Sequence, residues 1–281
     1  MKKTCLILGV VVLVVLAAGA IVALLSRIEL GEKIAVLPIE GPIVDSHEIV
    51  EDLKEYVKNP SVKAIVVRVD SPGGAVAPSQ EIHEEIKKAV LKKKVVISMG
   101  SLAASGGYYI SAPATRIIAN PGSITGSIGV IMELPNFEGL MKKIGVKTEV
   151  VKAGEHKDLA SVFRGLGPEE REIIQGVLDD VHEQFIEAVS QGRKIPVEKV
   201  REMADGRIFS GRQALEAGLV DELGDLEDAI EAARGLSGVK GEPSIIRKKK
   251  RGGLLDLLTG KSSLNFPQAS PGISFKYIYS P

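Results

Sequence analysis

Two nearly continuous apolar stretches, each ending in a cluster of glycines, constrain the fold of this 281-residue chain most strongly. Residues 62–69 are rich in β-branched side chains and lead into the turn DSPGG at 70–74, and residues 95–99 lead into the small-residue segment 100–107. A strand that is apolar on both sides must be covered on both faces, which is typical of parallel strands between layers of helices. The two stretches therefore predict buried parallel strands that end in glycine-rich turns.

The rest of the chain alternates between strand-like and helix-like patterns. Further strands are predicted at 33–39, 116–119, 127–132 and 147–151. Apolar residues at helical spacing predict helices that begin at Ser46 and Ser79, a long helix between Pro168 and Gly192, and shorter helices at 196–204 and 226–233. Repeated alternation of strands and helices indicates an α/β fold with a largely parallel sheet.

An apolar run precedes this α/β region. Residues 5–25 carry no charged side chain, and as a helix they would extend about 31 Å, enough to cross a bilayer core. Small residues at 18–20 resemble the cleavage site of a signal peptide, but the unbroken run to Leu25 favours an uncleaved anchor. Lys2 and Lys3 predict a cytoplasmic N-terminus and an extracytoplasmic body at the cell membrane.

These features divide the chain into three parts. They are an N-terminal stub with a transmembrane anchor at 1–27, a globular domain at 28–240, and a basic segment with a C-terminal tail at 241–281. In the tail, apolar side chains alternate from Ile273 to Tyr279, which predicts a strand that could add to a groove of its own or a neighbouring chain.

The composition excludes several kinds of partner. Lys plus Arg and Asp plus Glu each number 36, and aromatic residues make up 4% with no Trp. Both values argue against a nucleic-acid surface, which needs basic charge and stacking rings. A single cysteine, Cys5, excludes an intrachain disulfide and a multi-cysteine metal site. Because dinucleotide-binding, P-loop and HExxH motifs are also missing, we expect no nucleic acid, no metal and no cofactor.

The two glycine-rich turns are where such a sheet would build a site. The first could aim backbone N–H groups at a carbonyl oxygen, or it could be a tight connection only. In the second, Ser105 stands between small neighbours, the setting of a nucleophilic serine on a strand-to-helix turn and also of an ordinary helix cap. A nucleophilic serine needs a base, and His156 and Lys157 are both candidates. A lysine base would require burial to lower its pKa from about 10.4 towards neutrality.

Four segments together resemble the signal peptide peptidase A family, in the family's order. They are SPGG at 71–74, GSLAASGGYY at 100–109, GSIGV at 126–130 and GEHKD at 154–158. The resemblance covers about residues 33–233. It implies a membrane-anchored serine endopeptidase that degrades residual signal peptides and other apolar peptides. It also implies the Clp protease/crotonase-like fold of repeated strand-strand-helix units, with residues 28–240 as the protease domain.

The resemblance further implies a role for each site residue. Ser105 would be the nucleophile, Lys157 the general base, and Ser127 the hydroxyl that orients the lysine amine. Backbone N–H groups of Gly73 and Gly74 would form the oxyanion hole. Asp158 stands beside Lys157 in the sequence and would favour the charged amine if the two side chains met.

The resemblance also implies a homo-oligomer, an octameric ring of identical subunits bound to the lipid bilayer. The serine of one subunit would then meet the lysine of its neighbour. We therefore expect Ser105 and Lys157 of one isolated chain to lie beyond the ~3 Å reach of a hydrogen bond. Three alternatives remain, namely a stomatin-associated membrane protease of similar fold and dyad, a crotonase-like acyl-coenzyme A enzyme, and a catalytically inert membrane scaffold.

Overall fold

The computed structural model of the protein describes residues 31–247 and 276–279. Within these two ranges, no helix is both long enough and apolar enough to cross a membrane. The predicted anchor at residues 5–25 lies outside the described residues.

The described residues form strands and helices that alternate along the chain. The strands are β1 Lys33–Glu40, β2 Val62–Ser71, β3 Gly73–Ala75, β4 Lys94–Ala104, β5 Arg116–Ala119, β6 Ile124–Gly126, β7 Ile208–Ser210, β8 Glu222–Leu223, β9 Ser244–Arg247 and β10 Lys276–Ile278. The helices are α1 His47–Lys58, α2 Val76–Val90, α3 Gly106–Ser111, α4 Glu138–Lys143, α5 Pro168–Arg193, α6 Val197–Met203, α7 Gly211–Glu216 and α8 Leu226–Ser237.

One eight-stranded sheet organises these elements. Its order is β7-β6-β4-β2-β1-β9, with β5 beside β4 and β8 beside β5. Every pair in this sheet is parallel except β6 with β7. The predicted α/β class with a largely parallel sheet is therefore confirmed. Because β9 pairs with β1, the sheet extends past residue 240, where we placed the end of the domain.

The central strands are buried on both faces, as their apolar sequences predict. In β1, Leu37 and Ile39 contribute to the larger core, which also contains apolar residues of α1, α2, α3 and α5. Ile34 and Val36 point to the opposite face and join a smaller core with Ala229 and other residues of α8. The sheet therefore separates two cores, and its strand ends carry the turns that build the site.

Two of the predicted strands are wrong. Residues 127–132 form only a single bridge, at Ile131, because positive φ angles at Gly126 and Ser127 turn the chain out of the sheet after β6. Residues 147–151 form no strand, since Val150 and Val151 are exposed and no neighbouring strand in the described chain pairs with them. The helix expected to begin at Ser79 begins three residues earlier, at Val76.

Candidate active site

The two glycine-rich turns lie against each other at the ends of β2 and β4. The register of these strands pairs Ser71 with Ala103, so the turns leave the sheet side by side. A Cβ atom added to Gly73 would lie 2.5 Å from the nitrogen of Gly106, and one added to Gly107 would lie 2.8 Å from the carbonyl oxygen of Ser71. Side chains at these positions would separate the turns. The glycines are thus required for close approach of two backbones.

Ser105 occupies a strained turn between β4 and α3. Its φ of +52° and ψ of −117° lie outside the regions that residues with a side chain ordinarily adopt. Its N–H donates to the carbonyl of Gly126 at 2.8 Å, and its own carbonyl accepts from Tyr109 N–H at 2.8 Å, so the backbone is fixed on both sides. The side chain makes no capping hydrogen bond to α3, although capping was the alternative prediction. Ser105 is 1% exposed.

Ser127 lies next to Ser105. The register of β4 and β6 pairs Ala104 with Gly126, and each serine follows its member of that pair directly. Ser127 is 8% exposed and also has a φ of +52°, with its N–H bonded to the carbonyl of Arg207 at 2.9 Å. The structure therefore brings the two serines together, each on a strained backbone held by hydrogen bonds.

The predicted oxyanion donors lie on the first glycine-rich turn, beside the turn that carries Ser105. Gly73 has a φ of +91°, and its N–H donates to the hydroxyl of Ser71 at 3.1 Å. Gly74 pairs with Tyr277 of β10. Sequence reasoning missed a third donor, the N–H of Gly106, which directly follows the nucleophile candidate and approaches Gly73 closely. The rule that this position supplies an oxyanion donor in strand-to-helix nucleophile turns could have found it.

A strand from the C-terminal tail lies against the first turn. β10 pairs antiparallel with β3, which places Tyr277 opposite Gly74. Its carbonyl oxygen is so close that a Cβ on Gly73 would lie 2.0 Å from it, and one on Gly106 would lie 3.0 Å from it. The strand predicted from the alternation in the tail is thus present, and it adds to a groove in its own chain.

The side chain of Tyr277 fills an aromatic cavity, and it is fully buried. Its ring centroid lies 5.1 Å from that of Tyr109 and 4.9 Å from that of Phe185. Its hydroxyl donates to the carbonyl of Val181 in α5 at 2.9 Å, and burial raises its pKa. The groove therefore combines an edge for an extended backbone with a cavity that holds a phenol ring.

The two base candidates lie on the segment between α4 and α5. Lys157 is exposed, and within residues 31–247 and 276–279 it has no hydrogen bond or ion pair with Ser105 or Ser127. The Nε2 atom of His156 lies 3.7 Å from Glu169, with 38% of the side chain exposed. Neither candidate contacts the serines in this chain.

The carboxylate of Asp158 does not bind its neighbour Lys157. It accepts hydrogen bonds from Arg164 Nε at 3.0 Å and from Lys152 instead. Arg164 also donates to Glu170 at 2.7 Å and so connects the segment to the first turn of α5. Arg164 and Lys152 hold the pKa of Asp158 well below its usual range, and Arg164, with Gly167 N–H, lowers that of Glu170 to about 2.

No group of three or more His, Cys, Asp or Glu side chains that could hold a metal ion occurs among the described residues. The groups gathered at the site are two hydroxyls and a set of backbone N–H donors. These are the components of acyl transfer through a serine.

Sequence comparisons agree with this chemistry. The sequence model of peptidase family S49 matches residues 87–240, which include Ser105, Ser127 and Lys157. A protein of Synechocystis sp. that is provisionally named a protease is 47% identical over 74% of this chain and 76% of its own length. Protease 4 of Salmonella typhi is 35% identical over 85% of this chain. A protein of Enterococcus faecium, provisionally named signal peptide peptidase SppA, is 36% identical over 72% of this chain.

The matches differ in how much of each relative they span. The aligned part is 41% of the Salmonella typhi protein and 63% of the Enterococcus faecium protein, less than two thirds of each. The family match alone covers more than half of this chain, and the Synechocystis match covers most of both proteins. The chain is therefore a serine peptidase that belongs to peptidase family S49, the family of signal peptide peptidase A.

Proposed function

We propose that this chain is a membrane-anchored endopeptidase that degrades residual signal peptides and other apolar peptides with a Ser–Lys dyad. Ser105 is the nucleophile and Lys157 the general base. The observation that carries the proposal is the backbone of Ser105, which is held at positive φ between a buried strand and a helix while its hydroxyl is not used as a cap. A strained serine between a strand and a helix, beside a binding groove, is typical of a nucleophile.

Each group then has a step in acyl transfer. The neutral amine of Lys157, oriented by the hydroxyl of Ser127, accepts the proton of Ser105 as its oxygen attacks the peptide carbonyl. Backbone N–H groups of Gly106 and of the turn at 73–74 hold the negative oxygen that forms. The proton passes to the leaving amine, and a water molecule then releases the acyl group from Ser105.

The tail strand indicates how a substrate would lie. An extended peptide that replaces β10 pairs antiparallel with β3, and its carbonyl at the position of Tyr277 faces Gly73 and Gly106. The side chain at that position enters the cavity between Tyr109 and Phe185. Aromatic and large apolar side chains fit such a cavity, which agrees with signal peptides as substrates.

The base comes from a second copy of the chain. Lys157 lies on the segment between α4 and α5. This segment and α4 with its flanking residues expose apolar side chains, among them Phe137, Leu140, Ile144 and Val151. Exposed apolar surface of this extent is typical of a protein interface. In the proposed octameric ring, of Clp protease/crotonase-like subunits, this segment packs on a neighbour and buries Lys157 beside the neighbour's Ser105. Burial then lowers the pKa of the amine towards neutrality.

The anchor fixes where this chemistry occurs. Residues 5–25 are proposed to cross the cell membrane once, with Lys2 and Lys3 in the cytoplasm and the catalytic domain outside. Apolar peptides left in the bilayer after processing of exported proteins would reach the groove at the membrane surface.

Labelling with a fluorophosphonate probe followed by peptide mapping tests the nucleophile. We expect one adduct, on Ser105, in active full-length protein. The variant Ser105→Ala should lose both the adduct and activity, with kcat lower by about 10³ or more. Ser101→Ala is the matched control, because Ser101 is exposed on the same strand. An adduct elsewhere, or none in active protein, would contradict the proposal.

A second variant tests the base. Lys157→Ala should lower kcat by about 10² to 10⁴, the usual contribution of a general base. Lys147→Ala removes an exposed charge from the same segment and should leave kcat unchanged. Full activity of Lys157→Ala would rule out the Ser–Lys dyad, while the assignment of Ser105 as the nucleophile would stand.

A further inference from the structure

A second cavity lies between α2, the C-terminal end of α5 and the turn before β5. Its volume is about 470 Å³, and it is lined by residues that include Lys87, Lys194, Arg193 and Asp221. Arg193 is paired with Asp221, whose other oxygen accepts the N–H of Ile117 at 2.7 Å. The acid is therefore satisfied within the protein. The ammonium group of Lys87 lies 3.4 Å from the carboxylate of Glu84, whereas Lys194 has no ion pair among the described residues, so the cavity keeps a net positive charge.

Two residues that line this cavity, His83 and Arg193, have buried nitrogen atoms without a hydrogen-bond partner among the described residues. The side chain of His83 is 6% exposed, and its Nε2 atom has no hydrogen-bond partner among the described residues. Its Nδ1 atom lies 3.4 Å from Glu84 without forming a hydrogen bond. In that same part of the chain, the buried Nε of Arg193 also has no acceptor. Buried polar atoms in folded proteins are nearly always bonded, so such a cluster needs an explanation.

The chemistry of these groups selects one class of ligand. Lysine and arginine side chains only donate hydrogen bonds, and an imidazolium does the same, so the ligand must be an acceptor. Positive charge favours an anion, and charge-assisted hydrogen bonds are the strong ones. Val90, Pro113 and Ala188 supply an apolar part of the wall. We propose that this cavity binds a small anion whose carboxylate or phosphate group accepts hydrogen bonds from His83, Lys87 and Lys194.

Binding is coupled to a proton on His83. Burial lowers the pKa of His83 to about 4, with Glu84 opposing this and Lys87 adding to it. The groups around the imidazole are these two on α2, the ring of Tyr109 at 4.8 Å on α3, and the charged lining of the cavity on α5 and at Asp221. An anion in the cavity favours the imidazolium and raises its pKa. Affinity for the anion therefore increases as the pH falls towards about 4, the pKa of His83 in the anion-free chain.

A series of packed aromatic rings connects the second cavity to the groove. His83 packs on Tyr109, and Tyr109 packs on Tyr277, the residue that occupies the aromatic cavity. No residue of the catalytic turns lines the second cavity. The proposed anion site is thus separate from the acyl-transfer machinery.

Calorimetric titration of the full-length chain in non-ionic detergent tests the site. The probes are sodium sulfate, which stands for a phosphate group but does not change its charge in this pH range, and sodium acetate, which stands for a carboxylate. Ionic strength is held constant with sodium chloride. We expect saturable binding of at least one probe, and the tighter of the two identifies the head group.

Two double variants that lose the same charge distinguish binding in this cavity from general electrostatic attraction of anions to the protein. Lys87→Ala/Lys194→Ala should weaken binding about tenfold or more, since both charged donors are lost. Lys88→Ala/Lys92→Ala removes two exposed lysines on and just after α2 that do not line the cavity, and should bind as wild type does. His83→Gln should keep part of the affinity but lose its increase at lower pH. Unsaturable heats with both probes, or equal weakening in the two double variants, would overturn the proposal.

Discussion

A methyl group at residue 73 would occupy space already filled by two backbone atoms. It would lie 2.0 Å from the carbonyl oxygen of Tyr277 and 2.5 Å from the nitrogen of Gly106, at a φ that itself favours glycine. We expect Gly73→Ala to lower kcat/KM at least about a hundredfold, the usual effect of disturbing an oxyanion donor. The measurement is peptide hydrolysis by folded variant protein, with thermal unfolding as a check on folding.

Gly41 provides the control for this change. It has a φ of +73° and no atom within 4 Å of an added Cβ, so Gly41→Ala imposes the backbone strain without the collision. Equal loss of activity in both variants would show that strain alone, and not the approach of the two turns, is responsible.

Only some properties of the individual site residues could be predicted from the sequence. Ser105 could be singled out as a candidate because it stands between small residues after a buried strand, while its role as the nucleophile is what the family resemblance implies. Its positive φ could not be predicted, since it depends on the hydrogen bonds to Gly126 and Tyr109 that the assembled sheet supplies. Asp158 would favour the charged amine of Lys157 if the two side chains met, but its carboxylate accepts hydrogen bonds from Arg164 and Lys152 instead.

At the scale of elements, Arg164 fastens the segment that carries Lys157 to the start of α5. We expect Arg164→Met to speed hydrogen exchange in residues 155–163 and to lower kcat with little change in KM, because the base is less well placed while the groove is intact. Arg164→Lys should restore part of the effect, since an ammonium keeps the charge but not the two-sided fork. Arg234→Met, which breaks an exposed pair with Glu231 on α8, is the control. Unchanged exchange in Arg164→Met would contradict this role.

The same contacts predict a response to acid. The pKa values of Asp158 and Glu170 are lowered in the folded chain, so both carboxylates stabilise the segment at pH values above about 4, their ordinary range. That stabilisation is lost as the pH falls towards about 2, where Glu170 takes up its proton. Hydrogen-exchange protection of residues 152–170 should therefore fall between about pH 4 and about pH 2 and be constant between about pH 5 and about pH 8. Arg164→Met should weaken this dependence, since Lys152 and the N–H of Gly167 still lower the two pKa values.

We expect the tail strand to compete with substrate for the groove, because β10 pairs with β3. Truncating a buried aromatic side chain removes about 3–5 kcal/mol of packing in a rigid core, and a fraction of that would release the tail. We expect Tyr277→Ala to lower the KM for a short peptide severalfold, as should deletion of residues 268–281. Tyr279→Ala is the control, because Tyr279 contacts the first turn through its backbone N–H to Pro72. Unchanged KM in the deletion variant would rule out an occluding tail.

The elements that carry the site were the most predictable part of the fold. Buried parallel strands have a direct sequence signature, and β2 and β4 lie where apolar β-branched runs predicted them. Residues 147–151 also contain β-branched side chains, at Thr148, Val150 and Val151, but they form no strand here, because pairing depends on a partner and not on the segment alone. Local sequence could therefore locate strands inside the sheet, but it wrongly predicted a strand in the segment between α4 and α5.

At the scale of the whole molecule, mixing two inactive variants tests whether the site is shared between subunits. Ser105→Ala and Lys157→Ala proteins, dissociated and reassembled together, should recover part of the wild-type activity. Some interfaces would then join an intact serine to an intact lysine. Each variant reassembled alone should stay inactive, and wild-type protein treated in the same way should regain activity. A mixture that stays inactive beside active wild type would show that each chain must supply both residues.

The unequal covering of the sheet has a consequence for the lifetime of the protein. Among the described residues, the smaller core consists of strand side chains and a single helix, α8, capped by Asp225 at its start and by Gly238 at its end. A helix of 12 residues that covers one face can detach without breaking any strand pair. Each such opening would expose the apolar side chains of β1, β2 and β4 that pack against α8. The opposite face of the sheet and the turns of the candidate site would still be folded. If copies of this peptidase cut apolar segments, as proposed, the stability of α8 would limit how long each molecule survives.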